Sequence, residues 1–165
     1  MAEVRVLVDG MLGRLARWLR LLGLDVEYGR DLEDEELLRR ALEDGRILLT
    51  RDEELHSRAL KAGVRALLVR GETEAERIAW VSERLGVDLV VDPSRSRCPS
   101  CGGRIRRVEK ASVRDVVPPK VYEMQNEFWM CEGCGKVYWR GSHWVNMERM
   151  IREARRIRRG GVKAF

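Results

Sequence analysis

Two sets of residues have the types and spacing to do chemistry. The first is Cys98-Pro99-Ser100-Cys101-Gly102-Gly103 and, with 29 residues intervening between Cys101 and Cys131, Cys131-Glu132-Gly133-Cys134-Gly135. Each C-x-x-C loop is short enough for both thiolates to reach one metal, and the glycines supply the turns beside the sulfurs. One tetrahedral site uses every cysteine, which predicts a single structural zinc with no open position for catalysis. The second set is acidic: Asp9, Asp34 and Asp52, with Asp31 one turn before Asp34. Carboxylates gathered together repel and raise one another's pKa. A divalent cation relieves this, and hard oxygen donors suit Mg2+ or Mn2+ with water and a substrate phosphate completing the shell. Each acid also has a plainer reading as a helix cap.

The elements that must position these residues follow from hydrophobic periodicity. Val4, Val6, Leu7 and Val8 form a short β-rich run suited to a strand buried on both faces. After the turn at Asp9-Gly10, Leu12, Leu15, Ala16, Leu19 and Leu22 trace one face of a helix. Further strands are expected at residues 25–28, 47–50 and 64–69, with a last one at 89–91. Helices are expected from the Asp31–Asp34 segment to Leu42, from about Glu53 to Ala62, and from Thr73 to Leu85. Strand–helix alternation with short, Gly-marked connections predicts right-handed βαβ units and a largely parallel sheet. In such a sheet Asp9 and Asp52 end strands at one edge, and the helix begun near Asp34 starts there too. That edge is where ligands bind in open α/β sheets.

Charge divides the chain. Residues 1–92 hold 15 Lys and Arg against 20 Asp and Glu, net −5, whereas residues 93–165 are net +10 and hold seven of the ten aromatics. This predicts an α/β domain over 1–92, a four-cysteine zinc ribbon over 93–145 with short strands at 105–110, 127–130 and 136–140, and a basic helical tail over 146–165. A basic, aromatic-rich module beside an acidic domain suggests a polyanion held by one and worked on by the other. Candidate nucleic-acid contacts are Arg104, Arg106, Arg107, Lys136 and Arg140 in the ribbon, and Arg152, Arg155, Arg156 and Arg159 in the tail. The tail's apolar side (Met147, Met150, Ile151, Ala154, Ile157) lacks the large anchors of a membrane-surface helix, so it is expected to dock on the protein. No apolar run approaches the roughly 20 residues of a membrane span. The chain enters a strand directly rather than through a leader, which predicts a cytoplasmic protein in which cysteines stay reduced. Trp18 is read as core, and His143 as a surface or cap-region histidine. Arg14, one turn after Asp9, is a candidate for contacting a phosphate or steadying a carboxylate.

The strings LVDGMLGRLARWLRLLG, GRDLEDEELLRRALEDGRILLTRD and FWMCEGCGKVYWRGSHW resemble the Mut-seven C-terminal RNase-domain family, from about Val4 to Met147. The resemblance implies a PIN-like, Rossmann-like α/β nuclease domain followed by a zinc ribbon. It implies a ribonuclease with Asp9, Asp34 and Asp52 as Mg2+ or Mn2+ ligands, Asp31 and Arg14 as further catalytic candidates, and RNA as partner. A standard PIN nuclease has a fourth acid after the next strand. Here that strand leads to Arg70-Gly71-Glu72, with Glu72 a poor substitute and Asp92 late. Two rival readings follow: a ribbon-bearing RNA-binding protein without catalysis, and a receiver-like domain with Asp9 or Asp52 as phosphoacceptor.

Overall fold

Val6, Leu7 and Val8 are completely buried. Successive strand side chains point to opposite faces, so β1 (Arg5–Asp9) has to be covered on both sides. The computed structural model, which describes residues 3–160, provides both covers. β1 pairs in parallel with β2 (Asp25–Gly29) and β3 (Ile47–Thr50), and β3 pairs with β4 (Ala66–Leu68), giving the order β2-β1-β3-β4. The connecting helices are α1 (Gly13–Leu21), α2 (Asp34–Asp44), α3 (Glu53–Lys61) and α4 (Glu74–Leu85). α1 and α4 pack on the face formed by Val6, Val8 and Leu49, while α2 and α3 cover Leu7 and Leu48. This is the expected α/β architecture.

The second half starts on a separate small sheet, β5 (Ile105–Val108), β6 (Phe128–Cys131) and β7 (Val137–Tyr138), all antiparallel. Between β5 and β6 lie a 3-10 turn (Lys110–Val113) and α5 (Pro119–Met124), neither of which periodicity revealed. Val113 from the 3-10 turn and Val117 from the loop before α5 close a core with Phe128 and Val137. The last helix, α6 (Ser142–Arg159), starts four residues before the expected Asn146 and returns to the first sheet. Ile151 and Ala154 are buried in the same cluster as α1 and α4, so the tail helix docks on the protein.

The expected strand at 89–91 is not formed. Leu89 and Val91 are buried in that same cluster, so helices satisfy their hydrophobicity and no ladder is needed. The C-terminal end of α1 ties the halves together. Arg20 is almost wholly buried and donates to Val26 O at 3.0 Å and Pro99 O at 3.2 Å. The Arg97 N–H donates to Arg20 O at 2.7 Å, and the Ser96 hydroxyl to Leu21 O at 2.6 Å.

Candidate functional site

Parallel strands put the ends of β1 and β3 at one rim, and one hydroxyl ties them together. Thr50, completely buried, donates to Asp9 Oδ2 at 2.8 Å and accepts the Asp52 N–H at 3.0 Å. Asp9 makes no helix-cap bond, so its capping role is not realised. Asp52 does cap: its Oδ1 accepts the Leu55 N–H at 3.1 Å, leaving its second oxygen without a protein hydrogen bond among the described residues. Gly10 allows the tight turn beside Asp9, because a Cβ there would stand 3.1 Å from Gly29 O.

Asp34 opens α2 and faces Arg58 of α3 at 3.5 Å. Burial raises its pKa first, the charges of Asp52 and Asp9 raise it further, and Arg58 works the other way. Two of the three acids named by the sequence, Asp9 and Asp52, therefore act electrostatically on the third, although 25 and 18 positions separate them from Asp34. They do not close tightly: among the described residues, only the four cysteines form a ligand set within 4.8 Å.

The other candidates fall elsewhere. Asp31 occupies the left-handed region (φ 63°), with its side chain 92% exposed and Arg30 as ion-pair partner at 3.9 Å. Arg14 is exposed and has no carboxylate partner among the described residues. Glu72 lies on the exposed loop before α4, where its N–H donates to Glu76. The Asp92 carboxylate accepts both the N–H and the hydroxyl of Ser94, at 3.0 and 2.8 Å. Sequence reasoning missed Arg58, which answers Asp34 and Glu35 across α2 and α3; no local pattern signals it. The bridging role of Thr50 was also missed, since only its place before Asp52 was visible.

The cysteine set is closed. All four sulfurs lie within 4.8 Å of one another, and Cys98–Cys134 and Cys101–Cys131 stand 3.7 and 3.4 Å apart. Gly103 is needed there, because a Cβ would meet the Cys131 sulfur at 3.0 Å and the Cys101 sulfur at 3.2 Å. Burial disfavours the Cys98 thiolate, but hydrogen bonds from the Tyr138 hydroxyl and the Cys101 and Ser100 N–H groups outweigh it and lower its pKa. Cys101 gains from the Gly103 N–H, yet burial and the neighbouring thiols raise it. Four thiolates this close need a cation among them, and a soft tetrahedral sulfur set could hold zinc.

The basic candidates divide as well. Arg107, Arg152 and Arg159 are exposed without carboxylate partners among the described residues. Arg104 and Arg106 approach Glu3 and Glu132 at 4.0 and 3.9 Å. Arg155 approaches Glu148 at 4.0 Å, and Arg156 donates to Glu153 at 3.0 Å. Lys136 lies 3.3 Å from the Ser100 hydroxyl, and Arg140 sits beside the rings of Trp129 and Trp144.

Fold and site define the class: an α/β domain with acids at its strand edge, carrying a four-cysteine module consistent with a zinc ribbon. The family model described as Mut7-C RNAse domain matches residues 4–151. The chain belongs to this family, which points to a nuclease-like function. Comparison with curated proteins yields no match, and comparison with solved structures yields none.

Proposed function

We propose that this protein is a metal-dependent ribonuclease hydrolysing RNA phosphodiester bonds at the Asp9–Asp34–Asp52 edge. The mutual electrostatics of these acids carries the reading: burial first, and then the charges of Asp52 and Asp9, raise the Asp34 pKa from its ordinary value. A cation among them removes that penalty. Oxygen donors suit one or two Mg2+ or Mn2+ ions, and donors spaced more widely than the sulfurs suit ions that keep part of their water. When bound, such an ion lowers the pKa of a water and offsets charge growing on the phosphate.

The chain's own part is positioning. Thr50 fixes Asp9 against the backbone of Asp52, and the cap bond to Leu55 leaves the second Asp52 oxygen available. Arg58 favours the ionised form of Asp34. Arg14 stands free for a substrate phosphate, and hydrolysis leaves a 5′-phosphate. The ribbon's single zinc is structural, and the exposed arginines of the ribbon and α6 attract the RNA backbone. The cytoplasm, where thiols stay reduced, is the setting this chemistry requires.

The test is cleavage of unpaired and hairpin RNA with Mn2+, with chelator, and by Asp52→Asn. Asn caps helices about as well as Asp, so the variant keeps α3 capped. A loss of about 100-fold or more is expected, because even outer-shell partners of metal sites are worth roughly 10–100-fold. Undiminished cleavage by Asp52→Asn removes this site. One observation favours a second reading, RNA binding without catalysis: no acid follows β4 directly, and Asp92 is committed to Ser94. Salt-sensitive RNA affinity without metal-dependent cleavage would select it.

A further inference from the structure

α1, the ribbon and the start of α6 enclose a half-open groove of about 950 Å3 that the acid edge does not explain. Four of the chain's five tryptophans line it: Trp129 is buried, while Trp18 (which packs in part on the main core, as expected), Trp139 and Trp144 are half-buried. Its cations are Arg14, Arg17, Arg97 and Lys136, and no Asp or Glu lines it, in a chain that holds 27. Arg14 and Arg17 are exposed on α1 with no carboxylate partner among the described residues. Arg140 lies 5.4 Å from the Trp129 ring and 5.1 Å from that of Trp144, which braces two indoles across the β6–α6 junction.

We propose that this groove binds an unpaired stretch of RNA, with bases stacked on the half-buried indoles of Trp18, Trp139 and Trp144 and phosphates along Arg14, Arg17 and Lys136. The choice of RNA rests on the ribonuclease reading, and the proposal adds the form of the substrate. Apolar lining alone would equally suit a protein helix. Arg97 is ion-paired with Glu3, but Arg14, Arg17 and Lys136 have no carboxylate partner among the described residues and no acid lines the groove, which instead selects a polyanion. Among polyanions, only one with exposed base faces gains from indoles, and a duplex hides its bases in the stack. The path also has a destination. Arg14 lies in the first turn of α1, which follows Asp9 through the short turn Gly10–Leu12, so a strand leaving past Arg14 reaches the acids.

The experiment uses the full chain with Asp52→Asn and no added Mn2+, so that cleavage does not interfere. Anisotropy is read with a labelled, unpaired RNA of about 12 nucleotides, within the site sizes of single-strand binders, and with the same sequence as a duplex. The unpaired RNA is expected to bind about 10-fold tighter than the duplex and to quench tryptophan fluorescence. Arg17→Glu combined with Lys136→Glu should weaken it by about 10-fold and flatten its salt dependence, since both cations meet phosphates. Lys61→Glu combined with Arg65→Glu, both exposed, at the end of α3 and just before β4, makes the same change in net charge and serves as the control. If the duplex binds as tightly, if fluorescence is unchanged, or if the groove double variant loses no more than this control, the groove is not the RNA site. Mn2+-dependent cleavage by the unmutated chain is scored separately. Its absence would remove the nuclease reading and leave the groove result standing.

Discussion

The acid edge and the cysteine cluster are both sets of metal-binding residue types, yet they are built on opposite plans. The four sulfurs come from two tight loops and close within 4.8 Å. The carboxylates come from β1, the first turn of α2 and the end of β3, and they stay apart, held in relation by Thr50 and Arg58. Soft donors this close could share one ion, in a module whose own buried core is Val113, Val117, Phe128 and Val137. Hard donors that remain open leave room for water and substrate, and their scaffold needs no ion because aliphatic side chains cover both faces of the sheet. The difference separates a closed sulfur set, close enough to share one ion, from an open carboxylate set on a scaffold that has its own aliphatic core on both faces.

Removing the ribbon's metal is the harshest way to break this contrast. Structural zinc contributes on the order of 10–16 kcal/mol to small zinc-dependent folds. A strong chelator, or Cys131→Ala, should expose residues 98–140 to limited proteolysis while the parallel sheet keeps its circular dichroism. Loss of the sheet as well would show that the halves fold as one. Leu49→Ala probes the other side: truncation of this fully buried residue should lower stability to denaturant by about 2–5 kcal/mol and leave zinc stoichiometry unchanged.

Arg20→Met tests the joint. It strands the carbonyls of Val26 and Pro99, so a loss of about 1–3 kcal/mol is expected, with the unfolding of the two halves separating in temperature. The smallest effect belongs to Asp34. Its raised pKa means that its stability contribution is full when protonated and falls as pH rises through that value. Asp34→Asn should therefore melt slightly higher than the unmutated chain near neutral pH, with the difference vanishing in acid. Millimolar Mn2+ should reverse that ranking by stabilising only the unmutated chain.

Much of this was legible beforehand. Alternating strands and amphipathic helices located β1 to β4 and α1 to α4, because periodicity records which face is buried. The illegible parts have physical causes. Leu89 and Val91 read as a strand because apolar runs say that a segment is buried, not whether helices or strands bury it. α5 escaped because it has no buried residue and hence no periodic stripe. Arg58 escaped because it answers acids on another helix.

The sequence by itself determined what depends on near neighbours: the C-x-x-C loops, the helix faces, and an aspartate at the end of each of two strands. Chelate loops, caps and amphipathic stripes act over a few residues, so the order of residues specifies them. Tertiary structure decided the rest. It set Asp34 against Asp9 and Asp52 while leaving Asp31, three positions away, turned to solvent. It also gathered tryptophans from α1, the ribbon and α6 into one groove. Burial and Coulomb forces act through space between residues far apart in the chain, and only the packed fold sets those distances.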